Sequence, residues 1–118
     1  MIKGIHTMFY SSEPEALRAF FRDLMEFNAV DIGDGWLIFD TPAGDMGVHP
    51  ADETRERGAP SGTHDISFFC ENLEETVSKL QAKGVEFKHD IEDHGYGYVT
   101  QMKVPGDFYI QLYQPKYG

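Results

Sequence analysis

Residues 63–89 read THDISFFCENLEETVSKLQAKGVEFKH. An apolar run from Thr63 to Cys70 gives way to Leu73, Val77 and Leu80 at helical spacing, and Gly84 closes that helix before a further extended run over Val85 to His89. The order is strand, helix, strand. Downstream, Tyr98 to Val104 and Asp107 to Tyr113 read as two more strands around the turn residues Pro105 and Gly106. The second half of the chain is therefore β, α, β, β, β.

Working outward to the amino-terminal side, Ala51 to Gly62 is rich in Asp, Glu, Arg, Gly and Pro with almost nothing apolar, the composition of a solvated connection. Before it lies the same order of elements. Ile2 to Tyr10 is extended and apolar, and Ser12, Glu13 and Pro14 open a helix whose Ala16, Leu17, Phe20, Leu24 and Phe27 share one face over roughly three turns. Three short extended runs follow, Asn28 to Ile32, Trp36 to Asp40 and Met46 to His49, separated by Gly33-Asp34-Gly35 and Pro42-Ala43-Gly44.

The two halves keep register at two landmarks. Ile5-His6 opens the first unit as Thr63-His64 opens the second, and Pro42-Ala43-Gly44-Asp45 matches Pro105-Gly106-Asp107 as a turn before a last strand. Four residues beyond each Asp stand His49 and Gln111. We expect a single α+β domain over residues 1–118, with unit one at 1–50, a linker at 51–62 and unit two at 63–118. Its two βαβββ units form a curved mixed sheet with helices on the convex face. The concave face is where His6, His49, His64 and Gln111 converge; imidazole nitrogens and an amide oxygen suit a first-row divalent ion.

Composition limits the partners. Ten Lys and Arg against twenty Asp and Glu give a formal charge of -10, which repels phosphate backbones and anionic lipid surfaces, so nucleic acid and membrane are not expected. MIKGIHTMFY has no pattern of a secretory signal, and no run approaches the roughly 20 apolar residues of a membrane span, so a cytoplasmic protein is expected. The single Cys70 beside Phe68 and Phe69 reads as a buried small hydrophobe.

His6-Thr7-Met8 followed by an amphipathic helix carrying Phe20-Phe21 resembles the opening of bacterial glyoxalase I, and the resemblance to the vicinal oxygen chelate superfamily (glyoxalase, bleomycin-resistance and extradiol dioxygenase proteins) spans nearly the whole chain. It implies metal ligands on the first and last strands of each unit, here His6, His49, His64 and Gln111, holding a divalent ion (Fe, Mn, Ni or Zn). It also implies a homodimer. Gly97-Tyr98-Val99-Thr100 and Leu112-Tyr113-Gln114-Pro115 resemble segments of small extradiol-dioxygenase-type members. The leading expectation is accordingly a metalloenzyme acting on a small vicinal-oxygen substrate. A metal-free drug-binding protein of bleomycin-resistance type is the alternative, one that the negative charge suits, and a glyoxalase I-like isomerase ranks behind both. Gln111 stands where relatives usually carry glutamate, and a neutral amide is no proton acceptor, which argues against base-catalysed isomerisation.

Strand alternation leaves one choice open. With His64 inward, Ile66 and Phe68 also face the concave side; with Asp65 inward, Ile66, Phe68 and Cys70 pack under the helices and Asp65 joins His6 and His49. Met8, Tyr10, Trp36, Tyr96, Tyr98 and Tyr109 are candidates to line the pocket, and His94-Gly95-Tyr96-Gly97-Tyr98 reads either as a lid or as a turn with aromatic flanks. His89 and His94, beside Asp90, Glu92 and Asp93, read as solvated.

Overall fold

The computed structural model describes residues 7–41, 43–44, 54, 59–61 and 64–116. Helix α1 (Pro14–Ala19) starts with Pro at its first turn and runs directly into a π-helical turn, Phe20–Leu24. The spacing predicts one regular amphipathic helix here; the widened turn differs because consecutive Phe20 and Phe21 are both buried, at 7% and 6% exposure. Glu26, at φ 59, then turns the chain out of the helix. Strands β1 (Ala29–Asp31) and β2 (Leu37–Phe39) form an antiparallel hairpin in which Val30 opposes Ile38. Its turn is closed by Asp31, whose Oδ1 accepts from the Gly33 N–H at 2.8 Å.

The second half builds a four-stranded sheet in the order β3-β6-β5-β4 from β3 (Ser67–Phe69), β4 (Glu92–Asp93), β5 (Gly97–Val104) and β6 (Phe108–Pro115). β3 runs parallel to β6 and the other pairs are antiparallel. The parallel pair needs a crossover, and helix α2 (Leu73–Ala82) supplies it. Asn72 caps that helix by accepting from the Glu75 N–H at 3.0 Å, while Gln114 Oε1 on β6 accepts from the Leu73 N–H at 2.9 Å and fixes the helix to the sheet. Gly84, at φ 90, ends it as the sequence indicates.

The extended run read over Val85 to His89 reduces to one bridge, Phe87 to Met102, and a short strand forms instead at β4. Lys88 N–H still donates to the Gln101 carbonyl at 2.9 Å, and the pairing along β5 steps by two residues before β4, so 89–91 bulge away from the ladder. Thr100 Oγ1 donates to the His89 carbonyl at 2.8 Å across the gap, which satisfies a hydroxyl on a residue only 1% exposed.

Leu17, Phe20 and Phe21 join Leu73, Leu80, Val85, Met102, Val104, Ile110 and Leu112 in one core. Phe21 sits at the seam: its ring lies 5.3 Å from Phe9, 5.8 Å from Phe39, 6.0 Å from Phe27 and 6.0 Å from Phe68. Burying one such ring contributes about 1.5–3 kcal/mol, with about 0.5–1.5 kcal/mol more for each well-placed aromatic pair. The leading segment 7–10, expected as strand, has no ladder among the described residues, and Met46 to His49 lies outside them.

Candidate functional site

Alternation along β5 and β6 divides the sheet into two faces. Met102, Ile110 and Leu112 point into the core beneath α2, which sends Val99, Gln101, Tyr109, Gln111 and Tyr113 to the opposite side. Strand β3 adds Ser67 opposite Gln111 and Phe69 opposite Tyr113 on that side, while Phe68 and Cys70 pack against the core. The parity left open by the sequence is thereby fixed over 67–70. Carried back two residues, it assigns position 65 to the Gln111 side; Asp65 and His64 are both exposed and precede the strand.

Gln111 is at the centre of this face. Its Nε2 donates to Ser67 Oγ at 3.3 Å and to Tyr96 Oη at 3.4 Å, both long bonds. Tyr96 crosses from the β4–β5 hairpin, its ring edge-on to Tyr113 at 6.0 Å, and Tyr113 in turn lies 5.9 Å from Phe69. Tyr96 also meets the His94 ring edge-on at 6.2 Å. The result is an aromatic row, Phe69, Tyr113, Tyr96 and His94, with an amide set beside it.

The hairpin carrying Tyr96 is fixed by its ends. His94 N–H donates to the Gly97 carbonyl at 2.9 Å, Gly95 N–H donates to Asp93 Oδ1 at 2.9 Å, and Lys116 N–H donates to the Tyr96 carbonyl at 2.9 Å. A Cβ on Gly97 would stand 2.6 Å from the Gln114 carbonyl oxygen, so this position accepts only glycine without a shift of backbone. Lys116 Nζ reaches both Asp93 oxygens at 2.8 Å, which holds that carboxyl below its ordinary range and pushes the ammonium up. Burial pushes the Cys70 thiol up, and its Sγ lies 3.7 Å from the Tyr113 carbonyl.

The remaining pocket candidates separate. Tyr98 lies on the helix side of β5 with Lys116 Nζ 4.7 Å above its ring, in a groove shared with Leu73, Val77 and Gln114, because β5 alternation places it opposite to Gln101 and Gln111. Tyr109 shares the Gln111 side at the far end, under Lys88 Nζ at 5.4 Å. Trp36 stacks with Arg18 at 4.9 Å, and Met8 and Tyr10 are exposed at 49% and 88%. His94 was expected to be solvated, yet its side chain is only 16% exposed and its Nε2 lies 3.0 Å from Glu92 Oε1. Charged neighbours hid it; the two-residue alternation from Glu92 through His94 to Tyr96 is the signal that marks it.

His6 and His49 lie outside the described residues. Among the described residues no three His, Cys, Asp or Glu side chains come together as a metal cluster, and no helix is long and apolar enough to cross a membrane. The described part of the expected donor set is one amide held in place, Gln111, with exposed His64 and Asp65 near the same strand; it fits a divalent ion only together with His6 and His49.

A sequence model of the glyoxalase/bleomycin resistance protein/dioxygenase superfamily matches residues 5–111. The chain belongs to this superfamily. No curated protein matches it. Among solved structures, lactoylglutathione lyase from Agrobacterium tumefaciens is similar with a TM-score of 0.64 and 16% identity, over 92% of this chain and 90% of the other. An antibiotic-binding protein from a Streptomyces species is similar with a TM-score of 0.65 and 17% identity, over 98% and 100%. A superfamily member from Sphaerobacter thermophilus gives 0.62 and 20% identity, over 96% and 98%. Identities this low establish the shared α+β fold and nothing about ligands. The superfamily binds small molecules.

Proposed function

We propose that this chain binds a small planar aromatic ligand on the Gln111 side of its second sheet, with the ligand ring against Phe69, Tyr113 and Tyr96 and its polar edge on Gln111. The observation that carries this reading is the row of three aromatic rings, Phe69, Tyr113 and Tyr96, whose end member accepts a hydrogen bond from the held amide of Gln111. Aromatic faces supply contact area at little entropic cost, and a few placed polar groups fix orientation. The formal charge of -10 favours a neutral or cationic ligand over an anionic one. The fold shared with an antibiotic-binding protein is in keeping with such a role. Titration with 4-nitrocatechol in mildly acidic buffer, where it is uncharged, and with a cationic acridine tests it: saturable binding that weakens in Gln111→Ala and Tyr113→Ala is the expected result. Failure of wild type to bind either probe overturns the reading.

A second reading, metal-assisted chemistry on a vicinal-oxygen substrate, is favoured by the placement of Gln111 on the last strand facing the same side as Ser67. With His6 and His49, and with Asp65 in place of His64 since strand parity carries residue 65 to the Gln111 side, it would hold a divalent ion that acts as a Lewis acid on two adjacent substrate oxygens. Metal content of tag-free protein, compared with His6→Ala and His49→Ala, separates the two readings. Stoichiometric Fe, Mn, Ni or Zn lost in both variants supports the enzyme, and its absence after reconstitution removes it. We also propose one domain over residues 1–118 and a homodimer in solution, which a monomeric mass at micromolar concentration would exclude.

A further inference from the structure

We infer that His94, oriented by Glu92, is a positioning residue that sets the pose of Tyr96 across the Gln111 face. Tyr96 is 47% exposed and is flanked by Gly95 and Gly97, so the local chain does little to restrain its side chain. Two rings meet it edge-on, Tyr113 at 6.0 Å and His94 at 6.2 Å, and its phenol oxygen accepts from Gln111. The His94 ring is itself fixed: a carboxylate only accepts, so Nε2 carries the proton toward Glu92 Oε1 at 3.0 Å, and the side chain is largely buried. A chain of contacts thus runs from Glu92 through His94 and Tyr96 to Gln111 and Ser67. It passes from the β4 edge to the middle of the sheet. Removing the imidazole leaves Tyr96 with one of its two ring contacts, so its ring swings from Gln111 and the aromatic row loses a member. The consequence for ligand binding rests on the aromatic-ligand reading above, whereas the placement of Tyr96 does not.

The test uses the whole chain with isotope-labelled tyrosine rings, the Tyr96 signal being assigned by its disappearance in Tyr96→Phe. In ligand-free protein, His94→Ala is expected to shift and broaden the Tyr96 ring signal while leaving that of Tyr109 in place. His94→Phe keeps a ring without the Glu92 bond, and Glu92→Gln weakens the orienting bond; both are expected to give intermediate shifts. Binding of 4-nitrocatechol should weaken about tenfold in His94→Ala, the scale of one lost aromatic contact, and recover largely in His94→Phe. A Tyr96 signal unchanged in both His94→Ala and Glu92→Gln overturns the proposal. If wild type binds neither nitrocatechol nor the acridine but Tyr96 responds as described, the positioning role stands and the aromatic-ligand reading falls.

Discussion

Lys116 Nζ lies 2.8 Å from each carboxylate oxygen of Asp93 while its backbone N–H donates to the Tyr96 carbonyl, so one residue beyond β6 ties down both flanks of the hairpin that bears Tyr96. The Asp93 carboxyl is held below its ordinary value of 3.8, first by the Lys116 bond and then by the Gly95 N–H. A carboxyl depressed in the folded state contributes stability that is present above its unfolded value and lost as pH falls through its folded value. The latch should therefore hold at neutral pH and release in acid below the ordinary Asp range. Both groups are exposed, so about 0.5 M salt should weaken it as well. Tyr96 and Tyr98 ring signals followed by NMR through acid titration should show this release, and in Lys116→Met the hairpin should already be loosened at neutral pH. An acid transition unchanged by that substitution would refute the latch.

Gly97→Ala drives a Cβ against the Gln114 carbonyl oxygen, which belongs to the paired strand and has little room to retreat. We expect a loss of about 1–3 kcal/mol in urea unfolding, the usual range for overpacking a well-packed site. A stability within about 0.5 kcal/mol of wild type would show that β5 and β6 separate more easily than their register implies.

Leu112 and Gln111 are sequence neighbours on opposite faces of β6 and should behave oppositely. Leu112→Ala removes a side chain 2% exposed beneath α2 and is expected to cost about 2–5 kcal/mol. Gln111→Ala should cost under about 1 kcal/mol, because its bonds to Ser67 and Tyr96 are long, and should instead reduce binding of 4-nitrocatechol. Equal destabilisation by the two would contradict the division of faces.

Desolvation raises the Cys70 thiol above its ordinary value of 9.0, so little thiolate is present at neutral pH. Iodoacetamide should modify folded protein at least about tenfold more slowly than a free cysteine, and unfolding in urea should abolish the difference. Fast labelling of the native protein would mean that the strand carrying Cys70 opens readily.

The second half was legible because its signals are local: Asn72 and Gly84 bracket a helix with Leu73, Val77 and Leu80 on one face, and Pro105-Gly106-Asp107 separates two long strands. The repeat and the resemblance together led to the superfamily. What escaped depends on tertiary context. The π-helical turn arises from the burial of two adjacent phenylalanines, which helical periodicity counts as one in and one out. The pocket candidates Tyr96 and Tyr98 are indistinguishable in the sequence, since only strand register shows that residue 98 turns toward α2. His94 reads as solvated because Asp and Glu neighbours mimic an exposed loop, whereas one of them, Glu92, is its partner.

The ring of Phe21 touches Phe9, Phe27 and Phe39 from the amino-terminal half and Phe68 from the carboxyl-terminal half. A side chain shared in this way makes neither half a closed unit, because each would expose its share of the aromatic cluster if the other unravelled. Loss of structure at one end should therefore be felt at the other. The practical result is cooperativity: heat and urea should report the same transition whether followed at Trp36 or at the tyrosines of the far sheet, and truncating Phe21 alone should begin to pull those two reports apart.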